Sequence, residues 1–327
     1  MTQAKRTRRP NLIKAEVMLD GESKYPLEAL DYDAAVETFL RDCRVKNLSR
    51  ASITYYSNAM KELVKFLRKV GVERPLDITE DNFKSCILAK QESGVMDSTV
   101  NTNLKGWRTF LRHLHEEGYI PHNPAEHVRL LKTERHIIPT FTREQIKLLL
   151  SQPDLSTFTG YRDYVFLITL LETGVRISEI EGVKVTDILW KERVIKVMGK
   201  GRKERYVPFQ SKLEKELKKY IQYRGLLDHD VLFVNIDNSP MKKRTMQQNM
   251  QRFGIAANIK GVRVSPHTMR HTFAKLYIMN GGDAFTLQKI LGHTTLEMAQ
   301  TYVSIFSTDI AKQHRKFSPL ERLDYED

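Results

Sequence analysis

Apolar residues recur at intervals of three and four along most of the chain, the mark of helices that bury one face. Between 50 and 70, Tyr56, Met60, Leu63, Val64 and Leu67 share a stripe. Ser49 opens that segment and Gly71 closes it, which predicts a long amphipathic helix. Asp31-Tyr32-Asp33 starts an earlier helix through Ala35, Phe39 and Leu40. Thr79, followed by Glu80 and Asp81, opens a third with Phe83, Cys86 and Ile87 inside. Asp97-Ser98 opens a fourth, over 98–117, with Val100, Leu104, Trp107, Phe110, Leu111 and Leu114 on one side and Gly118 at its end. These four helices predict a compact helical domain over 29–118.

The texture changes at 119–140. Pro121, Asn123-Pro124, the charged run Lys132 to Arg135, and Pro139 predict a linker. A second domain is predicted over 141–305. Thr142 with Glu144 and Gln145 opens its first helix, and a largely apolar helix over 160–173 stops at Gly174. Arg193 to Val197 alternates with period two, Gly199-Lys200-Gly201 is a turn, and Arg205 to Pro208 returns, so a small hairpin is expected after Trp190. Further helices are expected over 212–223, 243–257, 267–280, 284–291 and 295–304, and Val231 to Val234 reads as a short strand or an apolar turn. The fold expected is mainly α with a small β-sheet. Residues 1–28 and 306–327 read as tails, the first basic at Lys5 to Arg9, the second carrying Phe306, Phe317 and Leu320 as apolar anchors.

Charge narrows the class of partner. The 327 residues carry 53 Lys+Arg against 40 Asp+Glu, a formal excess of +13. Such a surface attracts polyanions, nucleic acid first and acidic lipid second, although a solvated basic surface has the same composition. The longest apolar run, Val165 to Leu171, is too short for a membrane span, so no membrane partner is expected. The two cysteines, Cys43 and Cys86, are far apart and form no CxxC pair, which suits a reducing, cytoplasmic setting.

Common catalytic motifs are missing. There is no GxxxxGK[ST] loop, no GxGxxG after a strand and no Gly-x-Ser-x-Gly elbow. His267 and His271 have the spacing of a two-His metal site, but Thr268 stands where HExxH needs a glutamate, so neither a metal nor a cofactor is expected. What remains is an ordered scatter: Arg176, Lys200, His267, Arg270, His293 and Tyr302. The words around these residues are Thr173-Gly174-Val175-Arg176-Ile177-Ser178-Glu179, Gly199-Lys200-Gly201-Arg202-Lys203-Glu204-Arg205, Pro266-His267-Thr268-Met269-Arg270-His271-Thr272-Phe273-Ala274 and Leu291-Gly292-His293-Thr294-Thr295. Tyr302 follows nine positions after His293. Taken singly, each of these side chains also suits a solvated face, a turn, a helix cap or a core.

Together, the four words, their order and the His-to-Tyr spacing resemble the tyrosine recombinase, or phage integrase, family. The resemblance covers roughly 30–305 with no departure at the six positions. It implies a SAM-like four-helix core-binding domain and an α+β catalytic domain of the DNA breaking–rejoining fold. It implies a site-specific recombinase that forms a 3′-phosphotyrosyl link without metal or external energy. Arg176 and Arg270 then neutralise the scissile phosphate with planar guanidinium forks. His267 donates to the phosphate or takes the nucleophile's proton, and His293 donates from the other side. Lys200 protonates the leaving 5′-oxygen, with Lys203 as a rival, and Tyr302 is the nucleophile. Glu179, one turn after Arg176, holds a catalytic side chain in place.

The partner implied is double-stranded DNA carrying specific recombination sites, bound by a homotetramer in the synapse, with room for an accessory directionality factor. Lys105, Arg108 and Arg112, three and four apart, and Lys242, Lys243 and Arg244 at a helix start are the candidate DNA contacts, though each also suits a solvated face. The basic tail favours integration and excision of a mobile element, with Xer-type dimer resolution as the alternative. A catalytically silent DNA-binding factor and a type IB topoisomerase are the competing classes.

Overall fold

A computed structural model describes residues 30–133, 139–199 and 203–292. The chain divides into two compact units, one up to Arg135 and one from His136. The basic N-terminal cluster, the expected helix over 295–304 and the C-terminal anchors lie outside the described residues.

The first unit is built on α1 (Tyr32–Val45), α2 (Arg50–Lys69), α3 (Glu80–Glu92) and α4 (Asp97–Glu116). Side chains placed before each of the first three satisfy otherwise orphaned N–H groups. Asp31 accepts from the Ala34 N–H at 2.7 Å and Ser49 from that of Ser52 at 3.2 Å, while Thr79 and Asn82 make a reciprocal capping box. The stripes predicted from spacing face inward, and Met60, Leu63, Leu67, Phe83, Leu104, Trp107, Phe110 and Leu114 are all fully buried. Trp107 sits at the centre. Its indole N–H donates to the Ala59 carbonyl at 2.8 Å, and the rings of Phe66 and Phe83 meet it edge-on, each with centroids 6.3 Å away. A Trp107→Ala chain is therefore expected to lose about 3–5 kcal/mol of unfolding free energy, read as a fall in urea midpoint. The segment whose composition predicts a linker continues this packing. Ile120, Ala125 and Val128 are buried in the same core, and Asn101 exchanges hydrogen bonds with the Leu131 backbone at 2.9 and 2.8 Å. Proline and asparagine here shape a packed irregular segment, because its few apolar residues reach the helical core.

The second unit contains α5 (Arg143–Leu150), α6 (Phe158–Thr173), the one-turn α7 (Ile177–Ile180), β1 (Ile188–Leu189), β2 (Val194–Met198), β3 (Glu204–Pro208), α8 (Ser211–Arg224), α9 (Lys243–Ala256), α10 (Pro266–Met279) and α11 (Ala284–Leu291). The fold among the described residues is thus mainly α with one small antiparallel sheet of order β1-β2-β3. The two-residue β1 and the single turn of α7 are too short to leave a periodic trace in sequence. Val231 and Val234 make only isolated bridges, to Lys184 and Pro240, so the apolar run 231–234 is not a strand of the sheet. Helix α6 lies deep in the unit, with Val165, Leu167 and Leu170 fully buried. The register places Ile195 opposite Val207 and Val197 opposite Arg205. Directly opposed residues share a face, and Ile195, Val197 and Val207 are buried, so Arg205 enters on the core side of the sheet. Among the described residues no helix is long and apolar enough to cross a membrane.

Candidate active site

The site begins where α6 stops. Gly174 takes φ +61°, and its N–H closes the helix onto the Leu170 carbonyl at 3.0 Å. A Cβ at this position would stand 2.4 Å from Phe273 and 2.8 Å from Leu291, so both the backbone angle and the space demand glycine. The chain then extends through Val175 to Arg176, which precedes α7 as its N-cap residue. One turn on, the buried carboxylate of Glu179 reaches back. Its Oε2 accepts the Arg176 backbone N–H at 2.8 Å and its Oε1 accepts from Arg176 Nη1 at 2.9 Å.

A second guanidinium shares that carboxylate. Arg205 donates from Nη1 to Oε1 and from Nη2 to Oε2, both at 2.7 Å, a parallel two-point pair. Glu179 therefore accepts four hydrogen bonds, about the full capacity of a carboxylate. Burial pushes its pKa up, but the Arg205 hydrogen bonds, the Arg176 N–H and the two cations outweigh burial and hold it below the usual glutamate range. It is ionised at neutral pH.

Arg270 comes from the buried face of α10, a helix started by Ser265, whose hydroxyl accepts the Thr268 N–H at 3.2 Å, and by Pro266. Its Nη1 donates to the Gly174 carbonyl and its Nη2 to the Leu291 carbonyl, both at 2.7 Å. The last carbonyls of α11 thereby collect three guanidinia. Arg205 Nε donates to Ile290 at 2.9 Å, Arg270 to Leu291, and the Arg176 fork stands 3.4 Å from both Leu291 and Gly292. Cations suit the negative end of a helix and satisfy carbonyls that the helix itself leaves open. Gly292 adopts φ +63°, and a Cβ there would meet the Arg205 side chain at 3.0 Å. Three guanidinium charges face one carboxylate in this cluster, leaving a positive excess. Arg176 has the more open of the two Glu179-bound side chains, 33% exposed against 13% for Arg205.

His267 is exposed in the first turn of α10, and its ring lies 6.4 Å from that of His271, centroid to centroid. Burial pushes the His271 pKa down, and the neighbouring His267 and Arg270 push it the same way, so His271 is neutral at pH 7. Among the described residues no group of three metal-ligating side chains forms, at this pair or elsewhere.

The structure thus brings Arg176, Glu179 and Arg270 together. Lys200, His293 and Tyr302 lie outside the described residues. The residues before two of them do border the cluster. A Cβ on Gly199 would stand 3.5 Å from Arg205 Nη1, and Gly292 packs on the same side chain. Sequence alone gives Arg205 no role; its one visible signal is that it falls in phase with the buried Val207 and Phe209. Lys105, Arg108 and Arg112 line one cleft of about 420 Å³ in the first unit, together with His115 and Glu126. Lys242, Lys243 and Arg244 are exposed at the start of α9, whose first turn carries no acidic residue.

A family model described as the phage integrase family matches residues 139–308. Two curated relatives align over nearly their whole length. Tyrosine recombinase XerC of Thermodesulfovibrio yellowstonii is 32% identical over 88% of this chain and 97% of its own, and XerC of Oceanobacillus iheyensis is 30% identical over 87% and 95%. Among solved structures, the Tn1549 transposon integrase in complex with transposon right-end DNA superimposes with a TM-score of 0.71 at 20% identity, covering 90% of this chain and all of that one. At that identity the likeness is one of fold.

Proposed function

The chain belongs to the phage integrase family and is a tyrosine recombinase, a DNA breaking and rejoining enzyme; from that premise we propose that it is a Xer-type recombinase resolving chromosome or plasmid dimers. The near full-length likeness to two XerC recombinases carries this reading, in place of the mobile-element role that the basic tail favours. The structural likeness to a transposon integrase concerns the fold and does not weigh against it.

In this reading Arg176 and Arg270 hold the non-bridging oxygens of one scissile phosphate. The Arg176 fork donates to Glu179 and, at 3.4 Å, to the Leu291 and Gly292 carbonyls, and Arg270 donates to the Gly174 and Leu291 carbonyls, so both guanidinia are held in place before an anion arrives. A phosphodiester carries one negative charge and gains a second as the nucleophile adds, and three guanidinia against one carboxylate leave two positive charges to meet it. Tyr302 attacks phosphorus and the 5′-oxygen leaves with a proton from Lys200, giving a 3′-phosphotyrosyl link. His267 takes the tyrosine proton or donates to the phosphate, and His293 donates to a phosphate oxygen. Lys105, Arg108, Arg112, Lys242, Lys243 and Arg244 contact the duplex backbone. At the start of α9 the Glu181 carboxylate already accepts the Lys243 N–H at 2.9 Å, so the exposed Lys242, Lys243 and Arg244 side chains, and not the helix end itself, are what meets the phosphates. Four copies synapse two sites.

The test is to trap covalent adducts in cells of the source organism and sequence the joined DNA ends. The expected result is one chromosomal or plasmid site, two direct copies of which on a dimeric plasmid are resolved to monomers. Ends at the boundaries of a mobile element would overturn the dimer-resolution role, and no adduct from the wild-type chain would overturn the assigned chemistry.

A further inference from the structure

We propose that Arg205 is a positioning residue for phosphodiester cleavage, keeping the Arg176 guanidinium available to the phosphate by occupying the carboxylate that would otherwise consume it. The inference rests on the assignment of Arg176 to the scissile phosphate.

The hydrogen bonds of Glu179 are unequally shared. Arg205 gives both ends of its fork to the two oxygens, whereas Arg176 gives one side-chain N–H to Oε1 alone. Glu179 is buried, and a buried carboxylate left short of donors takes whatever cation is within reach. Arg176 is that cation. Without Arg205, its fork would turn fully onto Glu179 and that pair would be neutral, leaving Arg270 alone to supply excess charge for an anion. With Arg205 in place, Glu179 is already neutralised, and Arg176 gives it a single side-chain N–H, makes only 3.4 Å contacts to the Leu291 and Gly292 carbonyls, and stays the more exposed of the two side chains.

Arg205 is itself held from three directions. Strand β3 delivers it in phase with the core, its Nε donates to the Ile290 carbonyl at 2.9 Å, and Gly292 packs on its side chain. The same guanidinium borders Gly199, where the hairpin turn bearing Lys200 begins. One side chain thus ties the β2–β3 hairpin, the Arg176–Glu179 turn and the end of α11 into a single unit. A lysine at this position would neutralise Glu179 but has no fork with which to span both oxygens and the carbonyl.

The experiment compares full-length wild type, Arg205→Ala, Arg205→Lys and Arg176→Ala in single-turnover cleavage of a nicked suicide duplex. Two substrates are used, one with a phosphodiester at the scissile position and one with a methylphosphonate, whose uncharged linkage has less need of a guanidinium. Arg205→Ala is expected to cleave the phosphodiester about 100-fold more slowly, the order of loss that a misplaced catalytic group brings. On the methylphosphonate its loss should shrink in parallel with that of Arg176→Ala. A merely structural role would slow both substrates by the same factor, and that result would overturn the proposal, as would wild-type rates in Arg205→Ala. If Arg205→Ala does not fold, by thermal melting, Arg205→Lys decides. A substrate-dependent loss of about tenfold supports the proposal, since the cation is kept and only the fork is lost, whereas wild-type rates or an equal loss on both substrates overturn it. Failure of the wild type to form any adduct would remove the recombinase chemistry itself, and this inference with it.

Discussion

A Tyr302→Phe chain is expected to form no covalent adduct with a nicked duplex that traps the wild type, while binding that duplex equally well. Tyr302 is the proposed nucleophile, and phenylalanine offers no oxygen in its place, so on that assignment the loss should be about 10⁴-fold or greater, the scale seen when a covalent catalyst loses its attacking atom. Binding draws instead on basic residues against phosphates, and Tyr302 brings no charge to that interaction. Denaturing gels of end-labelled DNA report the adduct, and filter binding across a salt series reports affinity. Both proteins should show the same fall of affinity with salt. The chain has 13 tyrosines, so an adduct that survives in Tyr302→Phe would move the nucleophile to another of them. The same assay separates the competing classes. A catalytically silent binding factor gives no adduct in either protein, and a type IB topoisomerase gives one but relaxes supercoils without exchanging partners.

Much of the fold is legible in the sequence because caps and stripes agree. Thr79 and Thr142 are followed three residues later by Asn82 and Gln145, and both make the reciprocal capping box. Helix α2 runs from the residue after Ser49 to two residues before Gly71, as its punctuation predicts. The illegible parts are those in which long-range contact overrides local signal. Residues 119–131 look like a linker because Pro121 and Asn123-Pro124 punctuate them, yet Ile120 and Val128 are buried, and only a neighbour from α4, Asn101, shows where Leu131 is held. In the run 231–234, apolar character marks burial and not ladder pairing.

The candidate site follows the same division. Motif words single out Arg176, Glu179 and Arg270, and these three converge, although 94 residues separate the first from the last in sequence. The words leave unstated what holds them. Gly174 is required by its left-handed backbone and the Phe273 contact, and the carbonyls of Ile290, Leu291 and Gly292 carry no side-chain identity at all. A backbone acceptor cannot be read from residue type, so the anchoring of the guanidinia appears only in three dimensions. Arg205 is intermediate, since the strand period predicts its inward phase and nothing local predicts the carboxylate it meets.

Replacing Arg270 should damage both chemistry and fold, and the two can be told apart. Arg270→Ala removes a guanidinium assigned to the scissile phosphate, and the loss of one preorganised charge donor in a comparable position slows catalysis about 10²–10³-fold. It also strips the donor from the buried Gly174 carbonyl, at a cost of about 1–3 kcal/mol for a group left unsatisfied, and leaves the Leu291 carbonyl with only the 3.4 Å contact of Arg176. Arg270→Lys keeps the charge but cannot hold the Gly174 and Leu291 carbonyls with one rigid fork while also facing an anion. The expected order in single-turnover cleavage is therefore wild type, then Lys, then Ala, with Lys recovering more stability than rate. Thermal melting read beside cleavage decides between the two contributions. If Arg270→Lys regains the wild-type rate as fully as it regains stability, Arg270 acts on the joint between α6 and α11 and not on the phosphate. If stability returns while cleavage stays about 100-fold down, the planar fork itself serves the transition state, because charge and packing are then both present and geometry alone is missing.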